Sequence, residues 1–178
     1  MGVDSSLDKM VVRKFIVSPR IEIPIIVGES GRYVDDSHRK CFRKYADFAK
    51  GYGCYVFSIE YDDGTKIPVY IGQAHKQTLS HESFTTQKRF LLTKALAKVK
   101  GGRMFARFII PAEGKLDKAL IDELESDLIQ LGFAKNAKLE NTSRVRNPIQ
   151  HAIKRWSIDW ESDTGKDLLS VFAIQKES

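Results

Sequence analysis

Two tyrosines and one glutamate stand where their chemistry would matter most. Tyr55 lies in the run Gly53-Cys54-Tyr55-Val56-Phe57 and Tyr70 in Ile67-Pro68-Val69-Tyr70-Ile71-Gly72, both apolar and rich in β-branched or aromatic residues. Between them Asp62-Asp63-Gly64-Thr65 is a tight-turn signal, because Asp-Gly supplies the positive φ a hairpin needs. Two tyrosines beside glycines on adjacent strands can bring both hydroxyls to one end of a hairpin, where the glycines let backbone and ligand approach closely. The plain alternative is packing, with each hydroxyl satisfied at the rim. A phenol titrates near about pH 10, so one that acts as a base needs a cation or metal beside it.

The glutamate is Glu125. At about 100° per residue, Leu116, Leu120, Leu124, Leu128 and Leu131 span one broad apolar arc, extended by Ile121 and Ile129. Glu125 projects between those two isoleucines, whereas Asp122, Glu123 and Asp127 fall on the polar side and read as solvated. A carboxylate inside an apolar arc costs several kcal/mol if unsatisfied, so it needs a metal, an Arg or Lys, or an exit to solvent.

The elements that must position these groups can be read in order. Val11–Val17 and Arg20–Val27 are expected strands, separated by Ser18-Pro19 and followed by a loop at Gly28–Gly31. A helix is expected from Asp35 to Lys50, stopped by Gly51, with Cys41, Phe42, Tyr45, Phe48 and Ala49 on its apolar face. The hairpin over 53–72 follows, with Pro68 on an unpaired side or at a bulge because it lacks an N–H. Residues 73–83 read as a polar loop, Thr85–Lys100 as a helix capped by Gly101-Gly102, and Arg103–Ile110 as a strand. A helix over Leu116–Leu131 is ended by Gly132, a loop covers Phe133–Thr142, and a helix starts at Asn147-Pro148 and runs to about Trp156. Asp167–Ile174 is a last strand or helix. The order β-β-α-β-α over 53–131 predicts an α+β fold, a small mixed or antiparallel sheet flanked by helices.

The half-motifs "GCY" and "YIG" resemble the signature of the GIY-YIG nuclease family, with Cys54 in place of the usual Ile. The resemblance covers roughly residues 52–142, leaving 1–51 as an N-terminal strand and helix extension and 143–178 as a basic C-terminal tail. It implies a catalytic core in which Tyr70 is the general base and Tyr55 hydrogen-bonds the site. Glu125-Ser126-Asp127-Leu128-Ile129 resembles the family's E-x-x-L-I segment, whose Glu holds the divalent cation, so Mg²⁺ (or Mn²⁺) on Glu125 is implied. The family also carries an Arg on the helix after the hairpin that meets the scissile phosphate. Arg89 takes that role here, at a longer spacing than usual, with Lys76, Lys88 and His81 as competitors. Leu139-Glu140-Asn141 resembles the family's closing "L-x-N", which makes Asn141 a site residue, with Asn136 the nearer alternative.

Substrate contacts are expected from Gly72, His75, Lys76 and His81 around the hairpin end. Arg43 and Lys44 are further candidates, in a basic–aromatic cluster with Arg39, Lys40, Phe42 and Tyr45. A second such cluster is Arg144, Arg146, Lys154, Arg155 and Trp156. Two solvated helix faces are the bland reading of these clusters; two phosphate-gripping arms are the functional one.

Composition bounds these readings. The chain has 178 residues, 42% hydrophobic, a net charge of +6 and a pI of about 9.3, which suits one domain and a polyanionic partner. Two cysteines and no CxxC fit a reducing compartment and exclude a zinc-finger or disulfide framework. The apolar runs are too short to span a bilayer, and MGVDSSLDKM lacks a signal-peptide core, so a cytoplasmic protein is expected. The expected partner is DNA, cut by a metal-dependent endonuclease of restriction or mobile-element type, with no membrane and with a homodimer as the possible assembly. A non-catalytic nucleic-acid-binding module on the same fold is the alternative, and an interaction domain with merely packed tyrosines the third.

Overall fold

The computed structural model describes residues 12–113, 117–140 and 156–173. Its centre is the expected hairpin, here β5 (Gly53–Glu60) and β6 (Lys66–Ala74), paired antiparallel. Gly64 has φ +85° and Asp63 Oδ1 accepts a 2.8 Å hydrogen bond from the Thr65 N–H, so the turn is closed by the residues that predicted it. The register runs Phe57↔Tyr70 and then Ser58↔Pro68, which leaves Val69 as the extra residue of a bulge. Pro68 therefore sits where the ladder is already broken. The outer edge of β6 is capped there by the Asn136 Nδ2, donating to the Pro68 carbonyl at 2.7 Å, and by the Glu140 N–H, donating to Val69 at 2.9 Å.

The sheet continues inward from the hairpin. β7 (Arg103–Pro111) lies antiparallel to β5 and is flanked on its other edge by β1 (Arg13–Val17) and β2 (Ile21–Ile23). β8 (Trp156–Ile158) runs parallel to β1, giving a mixed sheet in the order β6-β5-β7-β1-β8. The break between β1 and β2 is bridged to β7 by Ser18. Ser18 donates its N–H to Phe108 and accepts the Phe108 N–H on its hydroxyl, at 2.8 and 2.9 Å. The strand expected over Arg20–Val27 divides at Pro24, and β3 (Ile26–Gly28) pairs with β4 (Gly31–Tyr33) in a separate small hairpin.

Helices cover both faces, so the α+β architecture is a three-layer one. On one face a 3-10 helix (Asp36–Tyr45), α1 (Ala46–Ala49), α2 (Leu79–Glu82) and α3 (Thr86–Ala97) enclose Phe42, Tyr55, Phe57, Phe84, Leu92 and Phe108. On the other, α4 (Lys118–Lys135) and α5 (Asp163–Phe172) pack on Phe15, Val56, Ile71, Ile109, Trp156 and Ile158. Outside 52–142, β1, β2 and β8 thus belong to the same sheet, and the flanking segments contribute to the same two cores. Among the described residues no helix is long and apolar enough to cross a membrane.

Several boundaries differ from expectation. The helix expected over Asp35–Lys50 is a 3-10 helix followed by one α-turn; Phe42 and Tyr45, three residues apart, stay inward because a 3-10 helix has three residues per turn, and Phe48 packs inward from the α-turn. The polar run after the hairpin is not all loop: β6 extends through Ala74, and α2 follows. Gly132 does not end α4. It is buried inside the helix, and a Cβ there would lie 2.6 Å from the Ile71 Cδ1, so its role is close approach of helix to sheet. Leu131 is 44% exposed and lies off the buried arc. The ambiguous last segment is α5, while of the helix expected over 147–156 only Trp156 is described, and it opens β8.

Candidate active site

β6 is the sheet's edge strand, and Gly72 is its crossing point. Tyr55 on β5 pairs with Gly72, and its ring lies across the glycine: a Cβ at position 72 would sit 2.4 Å from the Tyr55 Oη and 2.5 Å from its Cζ. Only glycine leaves room for the phenol to reach the edge. The Tyr70 ring stacks on that of Tyr55 at 6.1 Å and 15°, and Phe57 meets Tyr55 edge-on at 5.8 Å. Both hydroxyls therefore serve one end of the hairpin.

A cavity of about 510 Å³ opens at this edge. Tyr55, Tyr70, Gly72 and Gln73 form its strand wall, with His75 and Lys76 just beyond. Glu82 enters from α2, Lys88 from α3, and Lys118 and Glu125 from α4. Lys88 is held in the first turn of α3, where its N–H is capped by the Thr85 hydroxyl at 3.3 Å. Its ammonium donates to the Tyr70 Oη at 2.5 Å and lies 4.8 Å from the Tyr70 ring centre. The Tyr55 Oη is buried and makes no hydrogen bond of acceptable geometry, although the Tyr70 hydroxyl lies near it. Burial pushes the Tyr55 phenol well above its ordinary pKa, and Tyr70, Glu82 and Glu125 add to the rise.

The carboxylate singled out from the apolar arc is where the arc put it: Glu125 is 5% exposed and lines the cavity. The solvated reading of its neighbours is corrected. Glu123 is 6% exposed, and Asp122 accepts a 2.5 Å hydrogen bond from the Gln73 Nε2. The reason is that α4 packs against β5 and β6 and also against α5, so more than one side of it is covered.

The structure thus brings Tyr55, Tyr70, Gly72, His75, Lys76 and Glu125 together. It does not bring Arg89. That guanidinium faces away from the cavity, 2.8 Å from the Asp36 Oδ1 and 3.3 Å from the Thr86 hydroxyl. One residue is about 100° of helical turn, which is why Lys88 enters the cavity and its neighbour does not. His81 lines a separate cleft of about 200 Å³ with Arg43, Lys50 and Phe42. Lys44 is exposed on the 3-10 helix. Trp156 is buried in β8, so it belongs to the core and not to a basic arm. Asn141, Arg144, Arg146, Lys154 and Arg155 lie outside the described residues, as does the Arg39 side chain. Asn136 caps α4 and donates to Pro68, away from the cavity.

Sequence reasoning missed Gln73, Glu82 and Lys118 as site residues. Gln73 and Glu82 fell in a run read as loop: Gln73 lies at the polar end of β6, beyond its apolar run, and the single helical turn that carries Glu82 is too short to show periodicity. Lys118 stands at the start of a helix, where position along the element says nothing of the direction it faces. The donors at the cavity fit a hard divalent cation. Glu125, Glu82 and Tyr55 all offer oxygen atoms there, and Mg²⁺ is commonly held by one or two carboxylates with water filling its other positions. Among the described residues no three His, Cys, Asp or Glu side chains gather as a metal cluster. No family model, curated protein or solved structure matches the chain.

Proposed function

We propose that this cavity hydrolyses a phosphodiester bond of DNA with Mg²⁺ or Mn²⁺, as a GIY-YIG-type endonuclease of restriction type. The observation that carries the reading is the Lys88 ammonium 2.5 Å from the Tyr70 oxygen, in the cavity that Glu125 also lines. Tyr70 takes the proton of the attacking water, and Lys88 holds the positive charge that a phenolate there would face. Tyr55 directs its hydroxyl into the same space and is suited to donate to a phosphate oxygen, a role its raised pKa preserves. Lys76 and Lys118 stand around the cavity where a phosphate would sit, taking the part expected of Arg89. Glu125 would hold the cation, which when bound supplies Lewis-acid stabilisation of developing negative charge. Arg43 and Lys44, exposed on the 3-10 helix, would grip the duplex backbone outside the cavity.

The test is incubation of supercoiled plasmid with purified protein in Mg²⁺ or in EDTA, followed by gel electrophoresis and a mobility-shift measurement. Nicked or linear DNA is expected in Mg²⁺ alone. A shift in mobility with no cutting under either condition would replace the nuclease with a binding module.

A further inference from the structure

We infer that Glu82 is the second carboxylate of the cation seat, facing Glu125 across the cavity with the Tyr55 hydroxyl at its base. The inference rests on reading the cavity as a metal-dependent site, and it replaces a lone-carboxylate site with a two-carboxylate one.

Glu82 is placed firmly. α2 is a single turn anchored at both ends: the Leu79 N–H donates to the Gly51 carbonyl at 2.9 Å, and the Glu82 N–H returns to Thr78 at 2.9 Å. Leu79, Ser83 and Phe84, on either side of Glu82, are buried. With its neighbours pinned in the core, the half-buried Glu82 side chain lines the cavity opposite the helix that carries Glu125. Among the described residues no lysine, arginine or histidine lies within 4.0 Å of its carboxylate. Lys88, which lines the same cavity, is committed to Tyr70.

The independent observation is Tyr55. Tyr55 is 0% exposed, its oxygen makes no hydrogen bond of acceptable geometry, and it lines the same cavity as the two carboxylates. A buried polar atom left without a partner costs about 1–3 kcal/mol, so its persistence points to something outside the chain that satisfies it. All three side chains thus line one cavity, and their oxygens are of the kind that suits a small divalent cation and its waters.

The experiment is calorimetric titration of Mn²⁺ into the full-length wild type, Glu82→Gln and Glu125→Gln at high salt, with thermal melts in parallel. High salt screens a through-space charge effect but not the loss of a ligand. Partners outside a metal's own ligand set are already worth about 10- to 100-fold in affinity, so each substitution should weaken Mn²⁺ by at least about tenfold. Each should also shrink the Mn²⁺-induced rise in melting temperature, with the metal-free Glu82→Gln protein melting no lower than wild type. Wild-type Mn²⁺ affinity in Glu82→Gln, with affinity lost in Glu125→Gln, overturns the role of Glu82 and leaves the nuclease reading standing. Loss in both variants, beside a wild type that binds Mn²⁺ and cuts no DNA, keeps the seat and overturns the nuclease. No Mn²⁺ binding by the wild type overturns the seat itself.

Discussion

On the face of the sheet beneath α5, Arg107 is wholly buried and each of its nitrogens has a partner. At the edge of β6 the Tyr55 hydroxyl is as deeply buried and has none. The Arg107 Nε donates to the Asp167 Oδ2 at 2.7 Å, Nη1 to the Ser58 hydroxyl at 2.8 Å and Nη2 to the Glu60 Oε1 at 2.5 Å. Glu60 also receives Arg20 at 3.0 Å, and Asp167 receives Lys66 at 2.7 Å. This network ties β5, β6, β7 and α5 together with the residue that leads into β2. Burial alone would raise the Asp167 carboxyl, but the hydrogen bonds from Lys66 and Arg107 and their charges hold it below its ordinary value. Buried charge is thus no mark of a functional site. What distinguishes the β6 edge is that its buried tyrosine hydroxyl and buried carboxylate line a cavity, with lysines beside them, rather than closing into a network of their own.

The largest effect expected from this contrast is on stability. Arg107→Met leaves Glu60 and Asp167 without their central cation, and breaking a buried pair costs about 3–5 kcal/mol. In a protein of this length that is roughly 10 °C in melting temperature. Glu125→Gln should abolish cleavage while moving the melting temperature far less. Equal melting losses in the two variants would erase the distinction between scaffold and site.

Next is the rate. Tyr70→Phe and Lys88→Met should each lower single-turnover cleavage at saturating Mg²⁺ by at least about a hundredfold, the usual size of general acid–base assistance. Tyr55→Phe should lose less, and Arg89→Met, which breaks only the contacts to Asp36 and Thr86, less again. Wild-type cleavage by Tyr70→Phe would return both rings to packing. Gly72→Ala tests the crossing point itself. The new Cβ would meet the Tyr55 ring at 2.4 to 2.8 Å, and overpacking of this kind costs about 1–3 kcal/mol. Calorimetric melting of Gly72→Ala, alone and with Tyr55→Ala, should show the loss and then its relief in the pair.

The smallest effect is in acid. Because the folded-state Asp167 carboxyl lies below the ordinary 3.8, the unfolded chain binds its proton first as pH falls. The stability Asp167 contributes is complete above that value and is lost as pH drops through the folded pKa. Denaturant titrations should therefore show Asp167→Asn weaker than wild type near neutrality, with the gap closing below about pH 4. A gap that stays constant into acid would mean that the Asp167 charge contributes nothing.

The hairpin was legible because its signal is local. Asp63-Gly64 dictates a turn and β-branched or aromatic runs flank it, so Tyr55 and Tyr70 on one face follow from the pairing. Glu125 was legible because a helix's period converts spacing into direction, and the arc of Leu120, Leu124 and Leu128 defines a buried side. The same rule, applied to Arg107 within Arg103–Pro111, would have demanded partners for a guanidinium inside an apolar strand; it could not have supplied Asp167, some sixty residues away. Tertiary structure alone decided that Lys88 rather than Arg89 enters the cavity, that Glu82 and Glu125 line the same one, and that β1 and β8 complete a sheet begun by the hairpin. Spacing along a chain sets the direction of a side chain relative to its own helix or strand. Which other element stands in that direction depends on how the layers pack, and packing is a property of the whole chain at once.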